Sequence, residues 1–458
     1  MTIPTYMGLQ TALSGLEAAQ AAIDTTGQNI SNANTPGYSR QTVNLTERSE
    51  LTIPALSSVT GDGSQFGTGV DITSITRIRD TFLDSQYRDQ NTTENGASTS
   101  STILSQAQAA LDEPSSSGLS GQLDTFFTDD WASLASTPSS AGAQQGVIGQ
   151  GQAVADTLNT LSSQLSTLEG QVTSQYNTLT DPSTGAVASD ANQIAQLNGQ
   201  IAQAQAAGIN ANSLEDQRDN VIDDLSQYSN VNVTTESNGM VNVSFGNAAI
   251  AAQNGTTDAT PLVNGTSVDL TDNLTDSNLS GSGGTLGSLL GLYDSTTGQG
   301  QLATYSSQLD TVANQLATTV NSAISGADAA GATAPPFFTG TTAATIAVNP
   351  AVTASSTNPP YTAAEANAVA SLSGGTAQQT YNAFVTQVGS DVSSAQNTQT
   401  TSQSLLTAIS NQRQSVSGVS LDEEMTNLIQ YQQAYQASAR VMTTINDTFT
   451  SLLGMLSG

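Results

Sequence analysis

Reactive side chains are scarce in these 458 residues, and what is missing narrows function before what is present. There is no Cys, His or Lys, and all eight basic residues are Arg. Nucleophile–imidazole pairs, thiol chemistry, Schiff bases at lysine and metals held by nitrogen or thiolate lose their residues. Carboxylate chemistry remains. Three adjacent acid pairs, Asp129–Asp130, Asp223–Asp224 and Glu423–Glu424, could serve as general acids and bases or calcium ligands. Adjacent residues on a helix point to different sides and no EF-hand spacing surrounds them, so they read as solvated faces or helix starts. Gly61-Asp-Gly63-Ser-Gln-Phe-Gly67-Thr-Gly69 has the glycine density of a phosphate loop without its lysine or following helix, and reads as a turn between strands. Arg77, Arg79 and Arg88 stand out in so acidic a chain. The plain reading pairs them internally with Asp80, Asp84 or Asp89. The sharper one pairs them between subunits, where guanidinium forks on carboxylates set register. No cofactor or metal site is expected.

The net charge of -30 repels nucleic acid and anionic membranes, and eight scattered Arg cannot track a phosphate backbone. It also keeps free subunits apart, so self-association must use locally uncharged, apolar surfaces. Hydrophobic residues at 36%, aromatics at 5% and one Trp suit extended layers of closely packed helices better than a deep aromatic-lined cleft. A carboxylate-dependent glycosidase is accordingly a remote reading. No apolar run approaches the roughly 20 residues that cross a bilayer, so membrane insertion is not expected. The start Met1-Thr-Ile-Pro lacks the basic and apolar regions of a cleaved signal peptide, which leaves another route if the chain is exported.

The elements that carry these residues are mainly helical. Val147, Val154, Leu158, Leu161, Leu165, Leu168, Val172, Tyr176 and Leu179 keep near-heptad spacing, broken only at Gly151, and predict one long coiled-coil-like helix. Further helices are expected over 189–207, 213–228, 286–325 and 376–416. Residues 41–79 read as short strands and glycine turns. Alternation around Asn238-Gly239 predicts a hairpin within 229–284. Residues 330–361 hold another strand candidate, and both stretches are expected to form one small β-rich outer insertion. The fold class is therefore mainly α: a long antiparallel bundle of coiled-coil layers built from both chain ends, with a β-rich inserted domain. Three units are expected. The first is 1–40 with 419–458, and the second is 41–228 with 285–329 and 362–418. The third is 229–284 with 330–361.

The two ends carry the strongest patterns. Leu9, Leu13, Leu16, Gln20, Ile23, Gly27 and Ile30 step by four and three. Leu421, Met425, Leu428, Gln432, Tyr435, Ala439, Met442, Asn446, Phe449, Leu453 and Leu456 do the same. Ser420 can cap this second helix, with Asp422, Glu423 and Glu424 at the positive end of its dipole. Matching seams invite pairing, either closing a bundle in one chain or joining copies. Gln20, Gln432 and Asn446 in the seams would fix register.

Three motifs in order carry a resemblance. The first is Asn29-Ile-Ser-Asn32-Ala-Asn34-Thr-Pro36-Gly37-Tyr38. The second is Gly67-Thr-Gly69-Val70-Asp71, continuing to Arg77-Ile-Arg79-Asp80. The third is Tyr431-Gln432-Gln433-Ala434-Tyr435-Gln436-Ala437-Ser438-Ala439-Arg440. Together they resemble the hook-associated FlgK family of the bacterial flagellum, closely over roughly the first 90 and last 40 residues. The resemblance implies a non-enzymatic, extracellular subunit at the hook–filament junction, exported through the flagellar type III channel. Its implied partners are identical copies, hook protein FlgE, hook-associated FlgL and a FlgN-type chaperone on the C-terminal helix. The terminal pair would form an inner tube, the long helices a second layer and the β insertion the outer surface. Another axial subunit, of hook, rod or filament type, is the alternative.

Overall fold

The computed structural model describes residues 3–53, 64–115, 117–254, 260–293, 300–327 and 334–456. Helix α1 (Ile3–Ser31) ends where the Asn32-to-Gly37 turn begins. Thr35 N–H bonds the Asn32 carbonyl at 2.9 Å and Gly37 adopts φ +75. Strands β1 (Gln41–Glu47) and β4 (Val70–Arg77) pair antiparallel, with an irregularity between Asn44 and Leu45. Between them β2 (Leu51–Ile53) pairs with β3 (Ser64–Phe66). Gly61 to Gly63 of the glycine-rich loop lie outside the described residues; Gly69 has φ +107 and lies against Ser14 and Thr11 of α1.

Asp80 caps α2 (Thr81–Leu111), accepting from the Phe82 N–H at 2.9 Å. Helix α3 (Leu119–Thr125), a π-turn at Phe126–Asp130 and α4 (Trp131–Ser136) lead into α5 (Ala141–Thr180), a single 40-residue helix that keeps the predicted seam. The Ser140 side chain caps it. Gly151, the break in the seam, has a reason: a Cβ there would stand 2.5 Å from the Phe337 ring. Val147, Val154, Leu158, Leu165 and Val172 are buried, and each fully buried aliphatic side chain contributes roughly 1.5–3 kcal/mol.

Helices α6 (Ala186–Ala206) and α7 (Asn212–Leu225) support a four-stranded antiparallel sheet. Its order is β5 (Val231–Thr235), β6 (Val241–Phe245), β7 (Val263–Asn264), β8 (Ser267–Val268), with α8 (Asn247–Gln253) between β6 and β7. Asn198 of α6 donates to the Val241 and Gly265 carbonyls at 2.8 and 2.6 Å, fastening the sheet. The short helices α9 (Leu270–Asn273) and α10 (Asp276–Leu279) follow. The helix expected over 286–325 is two, α11 (Gly284–Tyr293) and α12 (Gln301–Ala327), with 294–299 outside the described residues.

Residues 334–361 do not join the β5–β8 sheet. Among the described residues, strands β9 (Phe338–Thr339) and β10 (Ala347–Val348) pair only with each other. Phe337, Phe338 and Tyr361 instead enter the helical body around Trp131, with Trp131–Phe337 and Trp131–Tyr361 ring centroids both 5.3 Å apart. Burying the chain's one Trp and these rings outweighs a strand pairing of two residues. The segment therefore belongs with the helices in space. Helix α13 (Ala363–Ala370), held by a Thr362–Glu365 capping box, leads to α14 (Thr376–Ser417), which runs along α2, and then to α15 (Leu421–Leu456). The Ser420 carbonyl takes the first intrahelical bond of α15 from Glu424 N–H at 2.9 Å. No helix among the described residues is long and apolar enough to cross a membrane.

Candidate assembly surface

Helices α1 and α15 pack antiparallel. Their closest approach is along a heptad row of small residues. Gly8 faces Ile445 and Gly15 faces Ser438, where a Cβ would stand 3.3 and 3.2 Å away. One heptad on, Ala22 is buried, and at the next step Asn29 meets Glu424. Ala12, Ser14, Ala18, Ala19, Thr25 and Thr26 are buried on the same broad side, and Ser14 Oγ accepts from the Val70 N–H of β4 at 3.2 Å. Small side chains win this face because they let α1 lie close to a helix and a hairpin at once.

The apolar row read from spacing sits beside that contact. On α1, Leu9, Leu16, Ile23 and Ile30 are half-buried on its flank, and Leu13 is exposed. On α15, Leu428, Tyr435, Met442 and Phe449 are half-buried toward α1, whereas Leu421, Met425 and Leu453 are exposed; the side chain of Leu456 lies outside the described residues. Among the motif residues Asn29 is buried. Asn32, Tyr38 and Tyr431 are half-buried, and Asn34, Gly37, Gln432, Ala434 and Arg440 are exposed.

Beneath this surface lies a polar joint. Asn29 Nδ2 donates to Glu424 Oε2 at 3.0 Å and to the Gln41 carbonyl at 2.9 Å, and its Oδ1 accepts from the Gln41 N–H and the Tyr38 hydroxyl. One amide thus ties α1, β1 and α15. Burial, then Asp216 and Glu424, push the Tyr38 hydroxyl up to about 12, so it stays a donor. Gly37 lies where a Cβ would overlap the Asn220 side chain of α7, bringing the turn onto the helical body.

A second layer is ionic. Arg77 reaches Glu215, Asp216 and Asp219 at 2.9, 2.8 and 2.7 Å; Arg79 reaches Asp84 at 2.8 Å and Asp219 at 3.0 Å; Arg88 reaches Asp223 at 2.7 Å. Arg413, near the end of α14, closes the cluster on Asp84 and Asp223 at 2.9 and 2.6 Å and lies 4.5 Å over the Tyr87 ring. Burial by itself disfavours the charges on Arg77 and Arg79, but the carboxylates outweigh it and both are held above the usual guanidinium value. Burial likewise pushes Asp219 up, and Arg79, Arg77 and Arg88 more than offset it, leaving it below the usual carboxylate range.

These partners correct part of the sequence reading. The pairing is internal, but of the nearby acids only Asp84 takes part; Asp80 caps α2 and Asp89 accepts from Gln253. Asp223 and Glu424 are buried rather than solvated, because each has a matched donor; Asp129, Asp224 and Glu423 are exposed. Asp216, Asp219 and Arg413 went unremarked. The available signal was the three- and four-residue spacing of Asp216, Asp219 and Asp223, which puts three acids on one stripe of α7.

Residues 104–338 match the family described as Flagellar hook-associated protein FlgK helical domain. The chain belongs to this family. The two ends match flanking families: residues 9–38 the Flagella basal body rod protein, and 410–455 the Flagellar basal body rod FlgEFG protein C-terminal. These are α1 with its turn, and the end of α14 with α15. The chain is 39% identical over 250 residues to flagellar hook-associated protein 1 of Bacillus subtilis (strain 168), covering 54% of this chain and 47% of that protein. Proteins of the same description from Salmonella typhimurium and Escherichia coli (strain K12) are 33% and 31% identical, each over 54% of this chain and over 42% and 43% of theirs. The chain thus spans less than half the length of the relatives it matches. Against the solved flagellar hook junction protein FlgK from Burkholderia pseudomallei, identity is 26% and the TM-score 0.45, covering 56% of this chain and 46% of that one.

Proposed function

We propose that the chain is a structural, non-catalytic subunit of the bacterial flagellum, forming the junction between hook and filament by helical self-assembly through its paired terminal helices. One observation carries this reading: α1 and α15 join through a row of small residues, which leaves Leu13, Leu421, Met425, Ile429 and Leu453 exposed for other chains. With a net charge of -30, copies stay apart until such uncharged rows meet. The polar joint beneath would hold that surface at a set angle to the helical body. In this reading FlgE is the neighbour on the cell side and FlgL on the filament side. A FlgN-type chaperone covers α15 until the chain leaves through the flagellar type III channel.

The rod-type matches at both ends favour, as a second reading, an axial subunit placed elsewhere along the same structure. Immunogold labelling of flagella separates the two. A label confined to the hook–filament boundary supports the junction, and a label along hook or rod supports the alternative. Leu453→Asp should keep the helical circular dichroism of the parent and remove the label; an unchanged label would refute assembly through this face.

A further inference from the structure

Arg440 is the odd guanidinium of this chain. Six of the eight Arg pair with carboxylates within 4.0 Å, and a seventh, Arg218, is buried on Asn198 Oδ1 and the Gly239 carbonyl. Arg440 alone is exposed with no side-chain partner among the described residues, in a chain with 38 Asp and Glu. A free cation in so negative a field is an attractive site for a carboxylate from outside the chain.

We propose that Arg440 of one copy pairs with Glu17 of the next, and that this contact sets the register between copies; the inference rests on the self-assembly reading above. Glu17 is exposed on α1 and has no hydrogen bond or ion pair among the described residues. The packing of Gly8 against Ile445 and Gly15 against Ser438 makes Arg440 level with Leu13, so Glu17 is one helical turn away, about 6 Å along the axis. A lateral neighbour at nearly the same height therefore brings Glu17 within reach of an extended arginine. Asp24, the other acid on this face, is about 10 Å further along and already accepts from Gln20 Nε2 at 2.8 Å. The exposed Leu13 beside Glu17, and Met425 and Ile429 on the α15 side, supply apolar surface along the same rows. Glu17 and Arg440 each lie two residues past the contact positions Gly15 and Ser438, about 200° around their helices, so they face outward on opposite sides of the pair and the contact runs head to tail and propagates, as a helical assembly requires.

The test is a charge exchange in the full chain, in the cell that makes it. Arg440→Glu and Glu17→Arg should each lower the number of labelled hook–filament boundaries at least about tenfold, and the double variant should restore it to within about twofold. Single variants that assemble like the parent, or a double variant that is exported and helical yet stays unassembled, overturn the pairing. A parent chain missing from the boundary would sink the functional reading itself, before any variant is compared. If a charge variant is not exported, purified Glu17→Cys and Arg440→Cys chains are mixed and oxidised under assembly conditions. Since the chain has no Cys, a crossed dimer between the two supports the pair, and its absence from assembled material refutes it.

Discussion

Asn29 and Glu424, 395 positions apart in sequence, meet in a buried hydrogen bond of 3.0 Å that joins the two ends of the chain. Glu424 is 3% exposed, so its carboxylate depends on that amide in place of water. Asn29→Ala should lower stability by roughly 1–3 kcal/mol, the scale for a buried acceptor left without its donor. Asn29→Asp should do more damage still, because it removes the donor and sets a second carboxylate against Glu424. Thermal unfolding of the full chain measures both. A melting temperature within a degree of the parent for each variant would show that the joint does not hold the ends.

The ionic cluster makes a pH prediction centred on Asp219. Its folded pKa is depressed, since three guanidiniums more than offset burial. Its contribution is therefore present above the unfolded value of about 3.9 and is lost as pH falls through the lower folded value. Melting temperature should drop steeply below about pH 4 in the parent and more gently in Asp219→Asn. At pH 7 that variant should be less stable by about 3–5 kcal/mol, because the buried guanidiniums lose a partner. Parallel acid limbs for the two proteins would contradict this account.

Asp190 has the opposite sign. Burial and then Asp224 push its carboxyl up to about 6. A raised acid favours folding fully below the unfolded value of about 3.9, and that favour is lost as pH rises through about 6. Asp190→Asn should thus stabilise the chain at pH 8, by about 1 kcal/mol once solvent screening of this partly exposed group is allowed for. The gain should fade toward pH 4. A gain independent of pH would point to a cause other than charge.

Two glycines of α5 should respond in opposite directions. Gly151→Ala drives a methyl into the Phe337 ring, 2.5 Å from its Cβ position, and should cost about 1–3 kcal/mol. Gly149→Ala meets nothing within 4 Å and should stabilise by roughly 0.5–1 kcal/mol through helix propensity alone. Melting curves that shift both variants the same way would mean that Phe337 is not seated on α5.

Local periodicity determined much of this protein. Heptad spacing was enough to find α1, α5 and α15, because a helix's apolar repeat is written within a few turns of its own sequence. The Asn238-Gly239 hairpin was legible for the same reason, with Gly239 at φ +78. Composition alone removed the common catalytic and metal-binding side chains. Tertiary structure decided which face of each helix is used. The Leu and Ile row of α1 is its most obvious pattern, yet the buried contact with α15 runs through Gly8, Gly15 and Ala22, since close approach is a property of two helices together. It also decided the fate of the charges. Arg77 and Arg88 find Asp216 and Asp223 at separations of 139 and 135 residues, a pairing that no local window contains. Burial then makes those carboxylates structural, because a desolvated charge is stable only beside its partner.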